Sequence, residues 1–152
     1  MIMKTEEIEK ATIQRSSLAL LFKGCIASNQ LSQIKTNVPG FWLVNFDTIQ
    51  NSGTHWVVIV VLLSKQLNYF DAACLHPPYS IAEWLQRNNV TRKLKKAITK
   101  KTNKTCGEWC LLFVLYRFRF PDVTFEGIIQ ILLTRLSNFS DTSALFKREF
   151  SM

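Results

Sequence analysis

Histidine is scarce in this chain: there are two, His55 and His76, so any chemistry that needs an imidazole base has two candidates. Glycine (5) and proline (4) are few and scattered, which excludes a flexible linker, and no internal repeat is visible, so residues 1–152 read as one domain. Long apolar runs are missing as well. The longest, Trp56 to Leu63, has eight residues, far short of the ~20 that a spanning helix needs, so it reads as a buried strand and no membrane segment is expected. No apolar stretch follows the opening MIMKTEEIEK, so a cleaved secretory signal is not expected and an intracellular, reducing setting is. In that setting the sequons beginning at Asn89, Asn103 and Asn138 read as accidents of composition. Cys25, Cys74, Cys106 and Cys110 read as free thiols rather than a disulfide framework.

Acidic residues are absent from one long segment. Between Leu85 and Lys104 there are eight bases and no acid, leaving eleven bases and eleven acids elsewhere, so the whole net charge of +8 sits there. Such a segment attracts polyanions, and Arg92, Lys93, Lys95, Lys96, Lys100 and Lys101 are read as a sequence-independent DNA footprint, with a solvated loop as the plain alternative.

What the chain does have is a packed-domain composition, 47% hydrophobic with 11 Phe and 4 Trp. Residues 5 to 22 carry a weak helical pattern through Ile8, Ala11, Ile13 and the LALLF run. Phe41 to Phe46 and Trp56 to Leu63 have strand composition, and a further strand, Leu67 to Asp71, follows a turn near Ser64 and Lys65. Pro77 and Pro78 interrupt the chain, after which Ser80 is placed to cap a helix through Gln86. From Cys106 the run CGEWCLLFVLYRF is apolar nearly all round, which predicts a helix buried in the core and stopped by Pro121. An amphipathic helix is predicted from Phe125 to Leu136. The order is α+β.

Three residues in this framework carry chemistry together. Cys106 opens the buried helix, where unpaired N–H groups and the positive end of the macrodipole favour a thiolate and an oxyanion. Gly107 leaves room for a substrate backbone to approach. His55 opens one strand, Asp71 closes the next, and the hairpin between them brings the two back toward each other, in a register that the sequence leaves open. A Cys, a His and an Asp, each at an element end, make a thiol-peptidase constellation. A competing arrangement takes Cys74, His76, Cys106 and Cys110 as zinc ligands, although the one-residue gap in Cys74-x-His76 is unusual for such sites.

The blocks FKGCIASNQL, GFWLVNFD, GTHWVVIV, YFDAACLHPP and TCGEWCLLFVLYRF, from about Phe22 to Phe118, together resemble the adenovirus maturation protease (adenain) family and its relatives in Polinton/Maverick-type elements. The resemblance implies the papain-like α+β fold shared with SUMO-specific proteases, with a central buried helix carrying the Cys against a small mixed sheet carrying His and Asp. It implies Cys106 as nucleophile, His55 as general base, Asp71 as third member, and Trp56 packed beside the His as a shield. It also implies cleavage of capsid or core precursor polyproteins after small, Gly-type residues, with no cofactor needed for the chemistry, DNA or a viral peptide as activator, a monomer, and residence in the virion or host nucleus. Such enzymes place a Gln shortly before the Cys as a side-chain oxyanion donor, and here no Gln lies between Gln86 and Cys106. Lys100, Lys101 and Asn103 are the candidate replacements. The alternatives are a weak or inactive pseudoprotease that binds nucleic acid or a peptide, and a protease for ubiquitin-like modifiers.

Overall fold

Two runs rich in Val, Ile, Phe and Trp build the middle of the structure. In the computed structural model, which describes residues 2–48, 55–100 and 104–151, they form β2 (Gly40–Asn45) and β3 (Trp56–Val61), each buried along its whole length. With β1 (Phe22–Ala27) and β4 (Leu67–Phe70) they make one mixed sheet in the order β1-β2-β3-β4, parallel between β1 and β2 and antiparallel elsewhere. The described residues also form α1 (Thr5–Gln14), α2 (Ser16–Ala19), α3 (Tyr79–Arg87), α4 (Cys106–Arg119), α5 (Phe125–Leu136) and α6 (Thr142–Phe150). The chain is thus mixed α+β.

Both faces of the sheet are covered, which explains why its central strands show no polar alternation. Phe41, Leu43, Val58, Val60 and Phe70 pack with the side chains of α4. Trp42, Val44, Val57, Ile59 and Tyr69 pack on the other face with Ile81, Trp84 and Leu85 of α3. Leu111, Leu112, Phe113 and Val114 of α4 are all fully buried, each such side chain contributing roughly 1.5–3 kcal/mol of transfer free energy. α5 and α6 wrap the sides of α4 that the sheet does not reach, so this helix has no solvent face to keep polar.

Arg117, fully buried near the end of α4, ties down the chain where the helix ends before Pro121. Its guanidinium donates to the carbonyls of Phe120 (3.0 Å), Pro121 (3.1 Å) and Val123, a cation spread over the carbonyl-rich C-terminal end.

Four local expectations change. The helical pattern read over 5–22 breaks at Arg15 and again at Leu20, and Phe22 already belongs to β1. β1 holds a lysine, a glycine at φ +136° and only one fully buried residue, Ile26, so its strand character comes from pairing with β2 rather than from its own pattern. Ser80 does not cap α3: Pro78 is the N-cap residue, and its carbonyl accepts from Ile81 and Ala82 at 3.0 and 2.9 Å. The fourth change is α6 (Thr142–Phe150), an additional helix after α5. Asp141 caps it, accepting from the Ala144 N–H at 2.8 Å, and the Tyr116 hydroxyl donates to Glu149, tying it to α4.

Candidate active site

The β3–β4 hairpin decides whether His55 and Asp71 can meet. Its register pairs Val58 with Phe70 and Val61 with Leu67; continued past Phe70, it sets Asp71 across from Val57, and so diagonal to His55 on one side of the hairpin. A slip of one residue would turn them to opposite faces. The contact is made: His55 Nε2 and Asp71 Oδ1 are 2.9 Å apart, with both side chains largely shielded from solvent.

Asp71 is held from behind by the turn that follows β4. Its Oδ1 also accepts from the Ala73 N–H at 3.0 Å, its Oδ2 accepts from the Leu75 N–H at 2.9 Å, and its own carbonyl accepts from the Cys74 N–H at 2.9 Å. Cys74 takes a left-handed conformation, φ +48°, which lets the chain wrap the carboxylate. Aspartate favours such side-chain-closed turns, so the run D-A-A-C-L held a readable signal for this cradle.

Cys106 is the first residue of α4 and is buried. Its Sγ accepts from the backbone N–H of Trp56, the residue after His55, at 3.4 Å. The first-turn N–H groups of α4 have no carbonyl four residues back, and Thr105 makes no side-chain cap bond to them.

The remaining thiols sit in different surroundings. Burial, reinforced by Glu9 and Glu6, pushes Cys25 up to about 12. Burial likewise pushes Cys110 well up, and its thiol donates to the Trp56 carbonyl at 3.5 Å. The Cys74 thiol donates to the Leu94 carbonyl at 3.3 Å.

His55 is pulled in two directions. Burial opposes its charge, but the hydrogen bond to Asp71 and the charge of that carboxylate, with a further contribution from the neighbouring Cys106, outweigh burial and raise its pKa to about 9 from 6.5. A raised folded-state value means that the charged form is the one folding favours. The stabilisation is therefore complete below about pH 6.5 and lost as the pH climbs through about 9. Urea denaturation across that window is expected to show a falling stability for the parent protein and a flatter curve for His55→Gln. Parallel curves would remove the charged pair from the account of stability.

Two supporting roles are revised. The space that a Cβ on Gly107 would occupy is filled by Met3, whose Sδ would lie 3.1 Å away, so the missing side chain accommodates the segment before α1. The ring against His55 is Phe46, edge-on with centroids 4.7 Å apart, whereas the Trp56 indole donates to the Met3 carbonyl at 2.8 Å. Phe46 was visible only as a strand residue, because its contact with His55 spans the loop between β2 and β3.

His76 is exposed and lines, with Asp71, Cys74 and Lys93, a cavity of about 280 Å3 on the far side of the carboxylate. The four side chains considered for zinc do not converge, and among the described residues no group of three or more His, Cys, Asp or Glu is placed to hold a metal. Arg92, Lys93, Lys95, Lys96 and Lys100 are exposed. Lys101 and Asn103 lie outside the described residues. Among the described residues no helix is long and apolar enough to cross a membrane.

No family model matches the chain, and no curated protein matches it. Among solved structures it is similar to ChlaDub1 from Chlamydia trachomatis, at 18% identity and a TM-score of 0.38, over 93% of this chain and 78% of that one. A likeness of that size carries no argument about activity, which rests on the residues themselves.

Proposed function

We propose that the chain is a cysteine peptidase of the adenain and SUMO-protease type, with Cys106 as nucleophile, His55 as proton carrier and Asp71 as the group that orients and stabilises the imidazole. The observation that carries this reading is the 2.9 Å contact between His55 and Asp71, on an imidazole whose pKa the neighbouring Cys106 also raises. Since Nε2 faces Asp71, Nδ1 is the nitrogen left for the thiol. With His55 raised to about 9, the proton is already on the imidazole at neutral pH. A cysteine peptidase reacts through the thiolate and imidazolium, and in that state His55 serves first as general acid.

In the reaction, Sγ of Cys106 bonds to the scissile carbonyl carbon and the C=O electron pair moves onto oxygen. The first-turn N–H groups of α4 face that developing charge, with Lys100, Lys101 and Asn103 as proposed side-chain donors. Collapse breaks the C–N bond while His55 gives its proton to the leaving amine. Water then attacks the thioester, passing a proton to His55, and the carboxylic acid departs with the thiolate restored. The substrate class, capsid or core precursors cut after small residues, rests on the sequence resemblance.

A peptide vinyl sulfone ending in glycine tests the assignment. Mass spectrometry is expected to place the adduct on Cys106, at full yield in His76→Ala and at strongly reduced yield in His55→Ala. An unmodified Cys106 would favour a binding module over an enzyme, and sensitivity to His76 rather than His55 would move the site.

A further inference from the structure

The bases after α3 are not on a free loop. Arg92 bridges in parallel to Asn68 at the outer edge of β4, and its carbonyl accepts from the Tyr69 N–H at 3.0 Å. The Leu94 carbonyl accepts from the Cys74 thiol, and the N–H groups of Ile98 and Thr99 reach the Ala72 carbonyl at 2.8 and 3.2 Å. The segment therefore covers an otherwise open sheet edge and projects its side chains from a backbone fixed at several points.

Between this segment and the first turns of α5 lies a cleft of about 550 Å3. Leu94, Phe125 and Ile129 give it apolar walls, and all three pack with the core behind them. Arg92, Lys93 and Lys95 line one side and are exposed; Glu126 and Gln130, also exposed, line the other. None of His55, Asp71 and Cys106 lines it. A polyanion held by phosphate contacts alone needs only the bases and would leave the apolar walls unused. A peptide that carries both acids and an apolar side chain uses the bases and the walls together.

We propose that this cleft is an exosite for an acidic peptide segment that carries a bulky apolar side chain. The apolar anchor enters between Leu94, Phe125 and Ile129, flanking carboxylates pair with Arg92, Lys93 and Lys95, and Gln130 offers an acceptor to the peptide N–H groups, while Glu126 opposes the acidic ligand and tempers its affinity. Charge complementarity identifies the partner: the entire excess of positive charge in the chain lies in the segment that forms this wall. The inference goes beyond the peptidase reading and does not depend on it.

Fluorescence anisotropy on the full chain tests it with three labelled probes: a short Asp/Glu peptide with Phe-Leu at its centre, the same peptide with Ser-Ser there, and duplex DNA. The Phe-Leu peptide is expected to bind roughly tenfold or more tighter than the Ser-Ser peptide, the scale of burying one large apolar side chain. Reversing Lys93 and Lys95 together to Glu is expected to weaken it by about tenfold or more, while Lys147→Glu, the same kind of charge change on exposed α6, leaves it unchanged. Glu126→Lys, at an exposed position that does not threaten folding, is expected to tighten it. Equal binding of the two peptides, or DNA that binds more tightly and displaces the Phe-Leu peptide, would overturn the proposal, the latter in favour of a nucleic-acid footprint. So would a Glu126→Lys protein with unchanged affinity.

Discussion

Replacing Cys106 with alanine is expected to lower kcat/KM by on the order of 10^4- to 10^6-fold, the scale on which loss of a covalent nucleophile is felt, while the protein stays folded. The thiol is buried at the head of α4, but its bond from the Trp56 N–H is long, 3.4 Å, so its removal costs about 1 kcal/mol or less. Cys110→Ala, one turn further along the same helix, is expected to behave in the opposite way. Cys110 is 1% exposed within the main core, so truncation leaves a small cavity and lowers stability by roughly 1 kcal/mol, with turnover close to that of the parent. Measuring kcat/KM and the urea midpoint for both variants separates nucleophile from packing. Full activity in Cys106→Ala would end the mechanism; loss of activity in Cys110→Ala alone would move the nucleophile one turn along the helix.

Asp71→Ala carries the second large effect, and it acts on two properties at once. The carboxylate is 3% exposed and accepts from His55, Ala73 and Leu75. Truncation leaves one buried and two part-buried donors without an acceptor and His55 without its counter-charge, so a loss of roughly 2–5 kcal/mol in stability is expected. The pKa of His55 should fall, because burial still opposes its charge and the opposing partner is gone. kcat should fall on the order of 10^4-fold with it, the scale seen when the acid of such a site is neutralised. Asp71→Asn distinguishes the two roles. An amide has one oxygen, which can still accept on one side of the turn while its NH2 faces a donor on the other, so only part of the stability is expected to return; it cannot stabilise an imidazolium, so activity is expected to stay low. Urea denaturation with kcat/KM across pH reads both. An Asn variant as active as the parent would remove the charge of Asp71 from the chemistry, and an Ala variant as stable as the parent would dismiss the cradle.

Much of the site was open to reading because each of its groups ends or begins an element. Cys106 precedes an uninterrupted apolar run, His55 precedes another, and Asp71 follows a third, and each transition is marked by local composition. α4 and α5 were legible for the same reason, one as a helix apolar on all sides, the other as an amphipathic one with Thr124 ahead of it accepting from the Gly127 N–H at 3.0 Å. β1 was not legible. FKGCIA lacks a strand's alternation, and what makes it a strand is the hydrogen-bonding edge of β2, a partner more than ten residues away. α6 offered its Asp141 cap, but nothing apolar enough around it to outweigh a charged, polar surface.

Sequence alone determined which residues could do chemistry here: one Cys at a helix start, two candidate His, one Asp at a strand end, and a block of bases without acids. Tertiary structure decided how they are used. The β3–β4 register let His55 meet Asp71, since a period of two residues leaves no intermediate: Asp71 faces one side of the hairpin or the other. Packing decided that Gly107 makes room for Met3 and that Phe46 lies on the imidazole, because both contacts join segments far apart in the chain. Bonds to β4 and its turn converted the basic run from a solvated stretch into one wall of a cleft. Charge and polarity are properties of residues, whereas burial, register and distance arise only when separate segments share a core.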